Sequence, residues 1–128
     1  MNLEDEVCSL ELATELEKLG VKQESQHHWC EWSWSSNGER HWSLVEDIPA
    51  LSPVHREISA FTVAELGEIL PVANDLGWLE MHKGGLYWYV SYKGAYDVVA
   101  KHVERDKTEA NSRARMLIWL VENKVMVL

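Results

Sequence analysis

Cysteine, proline and phenylalanine are scarce in this 128-residue chain, and long apolar runs are missing from it. Its two cysteines, Cys8 and Cys30, allow one disulfide at most, which excludes a cystine-stapled scaffold, and neither belongs to a CxxC pair of the zinc-cluster kind. No apolar stretch approaches the ~20 residues a membrane-spanning helix needs. The acidic opening MNLEDEV also lacks the basic flank and apolar run of a signal peptide. These absences predict a cytoplasmic protein without a membrane segment. Positive charge is short as well: 12 Lys and Arg stand against 21 Asp and Glu, a net charge of -9. Direct nucleic-acid binding is therefore not expected, because phosphates require cations to neutralise them. GxSxG, HExxH, GxGxxG and Walker signatures are absent too, so no catalytic residue and no cofactor is assigned from motifs.

What is present is enough for a folded core. The chain is 46% hydrophobic with seven Trp, and at this length folding hides roughly two-thirds of the unfolded surface. One globular domain over residues 1–128 is expected. A helix is predicted from about Ser9 to Leu19, with Leu12, Ala13, Leu16 and Leu19 at helical spacing, Ser9 as N-cap and Gly20 just past the end. Glu4, Asp5, Glu6 and Glu11 crowd its start, where the helix dipole favours negative charge.

From Gln26 to Val45 the period becomes two. Asn37-Gly38 fits a type I′ hairpin turn, which pairs Trp34 with His41, Trp32 with Ser43 and Cys30 with Val45. The Trp32/Trp34/Val45 side is the expected core face, leaving Trp42, Leu44, Glu31, Ser33 and Trp29 on the other. Glu46 to Glu57, with Pro49 and Pro53, reads as irregular loop. Thr62 and Glu65 then form a capping box, and Phe61 can staple onto Leu66, so a helix is predicted from Val63 to Leu70, ending at Pro71. Gly67 inside it suggests close packing. A second hairpin, Trp78 to Tyr92, turns at Gly84-Gly85. It places Leu79, Met81, Leu86, Trp88 and Val90 on a core face and Trp78, Glu80, His82, Tyr87 and Tyr89 on the opposite one. Tyr96 to Val103 reads as a further strand, Thr108 caps a final helix reaching Asn123, and Val125 to Leu128 forms an apolar tail that packs. The order α-ββ-α-βββ-α predicts an α+β fold: an antiparallel sheet from two hairpins plus one strand, with three helices mainly on one face.

Among polar clusters the densest is His27, His28, Cys30 and His41. Imidazole and thiolate are good zinc or copper ligands, but no four-ligand spacing supports a site, so solvated hairpin histidines are the preferred reading and no metal is assigned. His55, His82 and His102 are isolated. The aromatic surface is more informative. Trp78, Tyr87 and Tyr89 on one outer face, with Trp42 on the other hairpin, are the candidate binding surface, since such rings carry large contact area at low entropic cost. Cross-strand aromatic pairing that merely stabilises the sheet is the competing explanation. Charge is also uneven: residues 1–24 hold seven acids and two bases, whereas 101–124 hold four acids and six bases.

The stretches VCSLELATELEKLGVKQES, EISAFTVAELGEILP, WYV and TEANSRARMLIWLVENK resemble a widespread family of small uncharacterised proteins encoded by bacteriophages and prophages. They cover about half of the chain, including all three predicted helices. The resemblance implies a bacterial cytoplasmic setting and an accessory role in phage or prophage biology; it supplies no activity, cofactor or site residue. The leading functional expectation is a non-catalytic module that binds a host or phage protein through an aromatic sheet face, a homodimer being the self-partnered version. An acidic inhibitor of a host nucleic-acid enzyme is the alternative, which requires Glu11, Glu15 and Glu17 on one exposed face. A small ligand- or nucleotide-binding enzyme is the third.

Overall fold

The computed structural model describes residues 2–33, 40–46 and 54–128, which form an α+β fold of helices and two antiparallel sheets. The expected helix is present as α2, Leu10–Lys18. Ser9 Oγ accepts from the Leu12 N–H, and Gly20 turns the chain at a φ of +91°, which a side chain rarely adopts. One helical turn precedes it, α1 (Leu3–Glu6). Four residues with three acids carry no apolar stripe, so nothing in their pattern announces a helix.

Strands β1 (His28–Ser33) and β2 (Arg40–Val45) make the first hairpin, with Cys30 opposite Ser43 and Trp32 opposite His41. Relative to the expected pairing, β2 has moved by two residues. An even shift keeps the same side chains together on each face. The Asn37-Gly38 turn, Trp34, Pro49 and Pro53 lie outside the described residues. The end of the expected loop is instead a strand, β3 (Val54–Ser59), paired with β1 so that Trp29 faces Ile58. That third strand decides which side turns inward. Ile58 is fully buried, Trp29 and Trp42 pack against the same core, and the Trp29 indole N–H donates to the Cys8 carbonyl at 3.0 Å. The core face of the hairpin is thus the Trp29/Trp42 side rather than the Trp32/Trp34/Val45 side. On the latter, Trp32 is half-buried and its indole donates to Ser43 Oγ at 2.6 Å.

Helix α3 (Val63–Ile69) begins with both halves of the capping box: Glu65 N–H donates to Thr62 Oγ1, and Thr62 N–H to Glu65 Oε1. The second sheet runs β4 (Ala73–Asn74), β5 (Gly77–Gly84), β6 (Tyr87–Lys93) and β7 (His102–Asp106) in sequence order. Leu79 faces Tyr92, Met81 faces Val90 and Lys83 faces Trp88, so the turn centres on Gly85-Leu86, one residue later than expected. Gly85 supplies the positive φ there, and Leu86 leaves the core face for the tip, 80% exposed. The last strand starts at His102, not Tyr96, because residues 94–101 form a turn-rich connection.

Helix α4 (Glu109–Glu122) covers the inner face of this sheet, burying Ala110, Ala114, Met116, Leu117 and Leu120. Ser112 Oγ donates to the Trp88 carbonyl side of β6 at 2.8 Å, and His102 stacks on Trp119 at 3.6 Å. At the other end of α4's packing, Asn111 Oδ1 accepts from the Ser9 N–H, tying α2 to α4. Tyr92 is fully buried and donates its hydroxyl to the Pro71 carbonyl at 2.7 Å. Of the tail, Val125 and Met126 pack on the core while Val127 stays exposed. No helix among the described residues is long and apolar enough to cross a membrane.

Candidate functional site

Alternation along β5, β6 and β7 fixes what stands on the sheet face turned away from α4. Cross-strand partners share a face, so Trp78 and Lys93 form one row, Glu80, Ser91 and Val103 the next, then His82, Tyr89 and Arg105. Tyr87 follows, opposite Gly84. The structure therefore brings Trp78, Tyr87 and Tyr89 onto one face, as their spacing predicts. Trp78 is 57% exposed. Tyr89 is stacked against His82 with ring centroids 5.0 Å apart, and the Arg105 guanidinium lies 4.9 Å from the Tyr87 ring. A Cβ at Gly84 would come within 3.3 Å of the Tyr89 ring, so the missing side chain makes room for it. Trp42 is not part of this group. It lines a cleft of about 540 Å³ with Leu3, Trp29 and Leu44, on the first sheet.

Three further apolar side chains are exposed at the same end of the sheet. The connection from β6 to β7 leaves at Lys93, the residue opposite Trp78, and exposes Tyr96, Val98 and Val99, with Tyr96 99% exposed. Sequence reasoning missed them by assigning this segment to a strand. The signal available was the Lys93-Gly94 turn followed by Asp97, whose Oδ2 accepts from the Gly94 N–H and closes a tight turn.

Concave features lie at the rim of the face. A cleft of about 390 Å³ beside β7 is lined by Tyr87, Val103 and the charged residues Glu104, Arg105, Asp106, Lys107 and Arg115. A larger one, about 660 Å³, opens at the hairpin tip, between Lys83, Trp88 and Lys107 on one side and Asp5, Glu6 and Glu109 on the other.

The displaced titrations have structural causes. Burial pushes the Cys8 thiol up to about 12, and burial raises Cys30 as well, so both thiols stay protonated and poorly nucleophilic at neutral pH. Burial pushes Tyr92 up to about 12. Partial burial disfavours the Glu65 carboxylate, but hydrogen bonds from Thr62 N–H, the Ser25 hydroxyl and Gln26 N–H outweigh it and hold the group below the usual range. Asp106 behaves alike: its burial is outweighed by Arg115, whose Nε lies 2.7 Å away, and by the Lys107 N–H.

Of the histidine cluster, His27 lies ahead of β1, and His28 opens it opposite Val45. Cys30 is buried opposite Ser43, while His41 faces Trp32. No group of three or more His, Cys, Asp or Glu among the described residues is placed to hold a metal ion. The acidic array required of a nucleic-acid mimic is broken up, since Glu15 pairs with Lys18 at 3.8 Å and Glu17 pairs with Arg56. The chain matches no protein-family model, and searches of curated proteins and of solved structures find no match either.

Proposed function

We propose that this chain is a non-catalytic protein-binding module that meets its partner through the outer face of the β4–β7 sheet. One observation carries the reading: Trp78, with Tyr96, Val98 and Val99, is exposed at one end of a sheet whose other face is covered by α4. Isolated exposed apolar residues are ordinary, but a group of large ones at one end of a sheet is the composition of an interface. Tyr87 and Tyr89 extend it as rigid, amphipathic contact area. The resemblance of the helical segments to phage and prophage proteins supports reading the partner as a host or phage protein and the role as an accessory one.

The test is affinity capture from a bacterial lysate with the tagged chain, followed by reconstitution with the purified captured protein. Changing Trp78 and Tyr89 together to Ala is expected to abolish both, with the melting temperature little changed. Undiminished binding by that variant would remove the face from consideration. The acidic-inhibitor reading is less favoured because Glu15 and Glu17 are engaged by cations of the same chain.

A further inference from the structure

In a chain with 21 acids and 12 bases, cations without a nearby carboxylate are unexpected. Lys18, Lys22, Arg56, Lys101, Arg113 and Arg115 each have an Asp or Glu within 4.0 Å. Among the described residues, Lys83, Lys93, Arg105, Lys107 and Lys124 have none, and three of these five, Lys93, Arg105 and Lys107, gather along one side of the second sheet. Lys93 and Arg105 stand on the outer sheet face, and Lys107 lines the β7 cleft with Tyr87 and Arg105, where the two carboxylates, Glu104 and Asp106, are engaged by His102 and Arg115. Glu80 is the one acid of β5 to share this face. The three cations thus form a track from the Trp78 end of the sheet to the hairpin end. Its length is that of β6 from Tyr87 to Lys93, roughly 20 Å at ~3.3 Å per residue.

We infer that the partner presents an acidic segment with apolar side chains, laid along this track so that its carboxylates meet Lys93, Arg105 and Lys107 while its apolar groups meet Trp78 and the tyrosines. The inference rests on the binding-face reading and specifies the chemistry of what binds there. Charge complementarity of this kind sets orientation and on-rate, and it leaves these cations unneutralised in the free protein. A single-stranded nucleic acid suits the face less well. Tyr89 already has His82 stacked on one ring face and Tyr87 has Arg105 over its ring, which leaves less open π-surface for bases.

The test uses the full chain and a fluorescein-labelled peptide of alternating Glu and Leu, followed by anisotropy, with oligothymidylate of equal charge as a parallel probe. The expected result is peptide binding that weakens with salt and falls about tenfold or more when Arg105 and Lys107 are both changed to Glu. Trp78→Ala is expected to weaken it with the salt dependence retained. Equal binding by wild type and the charge-reversed chain overturns the inference, as does tighter binding of the oligothymidylate. Concentration-dependent sedimentation abolished by the same reversal, without peptide binding, overturns it in favour of a second copy. If the captured partner is lost with the Trp78 and Tyr89 variant but kept with the charge reversal, the binding face stands and the acidic segment falls. If neither variant affects the partner, both fall.

Discussion

Gly67 sits within α3, where glycine is a poor choice, and replacing it with Ala tests what overrides helix propensity there. On propensity alone Gly67→Ala stabilises by about 1 kcal/mol. The structure opposes that gain, because a Cβ at this position would lie 2.6 Å from Nη1 of Arg113 on α4. The guanidinium must move. Its side chain is only 12% exposed, and Nε is 3.6 Å from Glu109 Oε2, so displacement disturbs a largely buried ion pair and costs about 2 kcal/mol. The net expectation is destabilisation by about 1 kcal/mol, giving a coupling of about 2 kcal/mol in a double-mutant cycle with Arg113→Ala. In that second background the obstruction is gone, and Gly67→Ala is expected to stabilise by its full ~1 kcal/mol. Urea unfolding followed by tryptophan fluorescence measures all four proteins. Equal effects of Gly67→Ala in both backgrounds would refute the argument that this glycine exists to admit Arg113.

Two other perturbations separate structural from surface roles. Glu65 is held below its unfolded value, so its contribution is present above the unfolded pKa and is lost as pH falls through the lower, folded one. Unfolding experiments should therefore find Glu65→Gln less stable by about 1–2 kcal/mol at pH 7, with the difference shrinking toward zero in acid; a pH-independent difference would contradict this. Trp29→Phe removes the donor to the Cys8 carbonyl and should cost about 1–3 kcal/mol, whereas Trp78→Phe, at an exposed site, should stay within about 0.5 kcal/mol of wild type in the same assay.

Local chemistry made much of the fold readable. Ser9, Thr62 and Thr108 each cap a helix where their spacing to the apolar stripe predicts, and the capping box at Thr62 and Glu65 closes on both sides. The face assignment of the second hairpin follows from alternation and survives a one-residue displacement of the turn, except at Leu86, which the displacement moves to the tip; Met81 keeps its side but is exposed rather than in the core. The first hairpin was less legible because both its faces carry Trp. Only the non-local pairing of β3 with β1, which sets Ile58 beside Trp29, selects the buried side. The same limit applies to the candidate surface. Trp78, Tyr87 and Tyr89 share a strand-pair pattern and could be grouped from sequence, but Tyr96, Val98 and Val99 read as strand until Asp97 is seen folding back onto Gly94. Likewise, a count of charges gives -9 and does not say which cations lack partners.

Residues 7–25, 57–71 and 108–124, which hold the three helices expected from the sequence, meet one another in space. Gln23 Oε1 accepts from the Ser59 N–H at 2.8 Å, Ser25 reaches Glu65 at 2.7 Å, Gly67 lies under Arg113, and Asn111 holds Ser9. These contacts join α2, β3, α3 and α4 into the support behind the second sheet. The hydrogen bonds among them satisfy groups that burial would otherwise leave unpaired, and the Gly67 contact lets α3 and α4 pack closely, so their roles are structural. Trp78, Tyr96, Val98, Val99, Lys93 and Arg105 fall outside those segments and make none of these contacts. Surface residues free of scaffold duties can change with little loss of stability. On this argument, replacing all six positions with other residues of the surface kind leaves the fold in place and removes only what the outer sheet face contributes to binding.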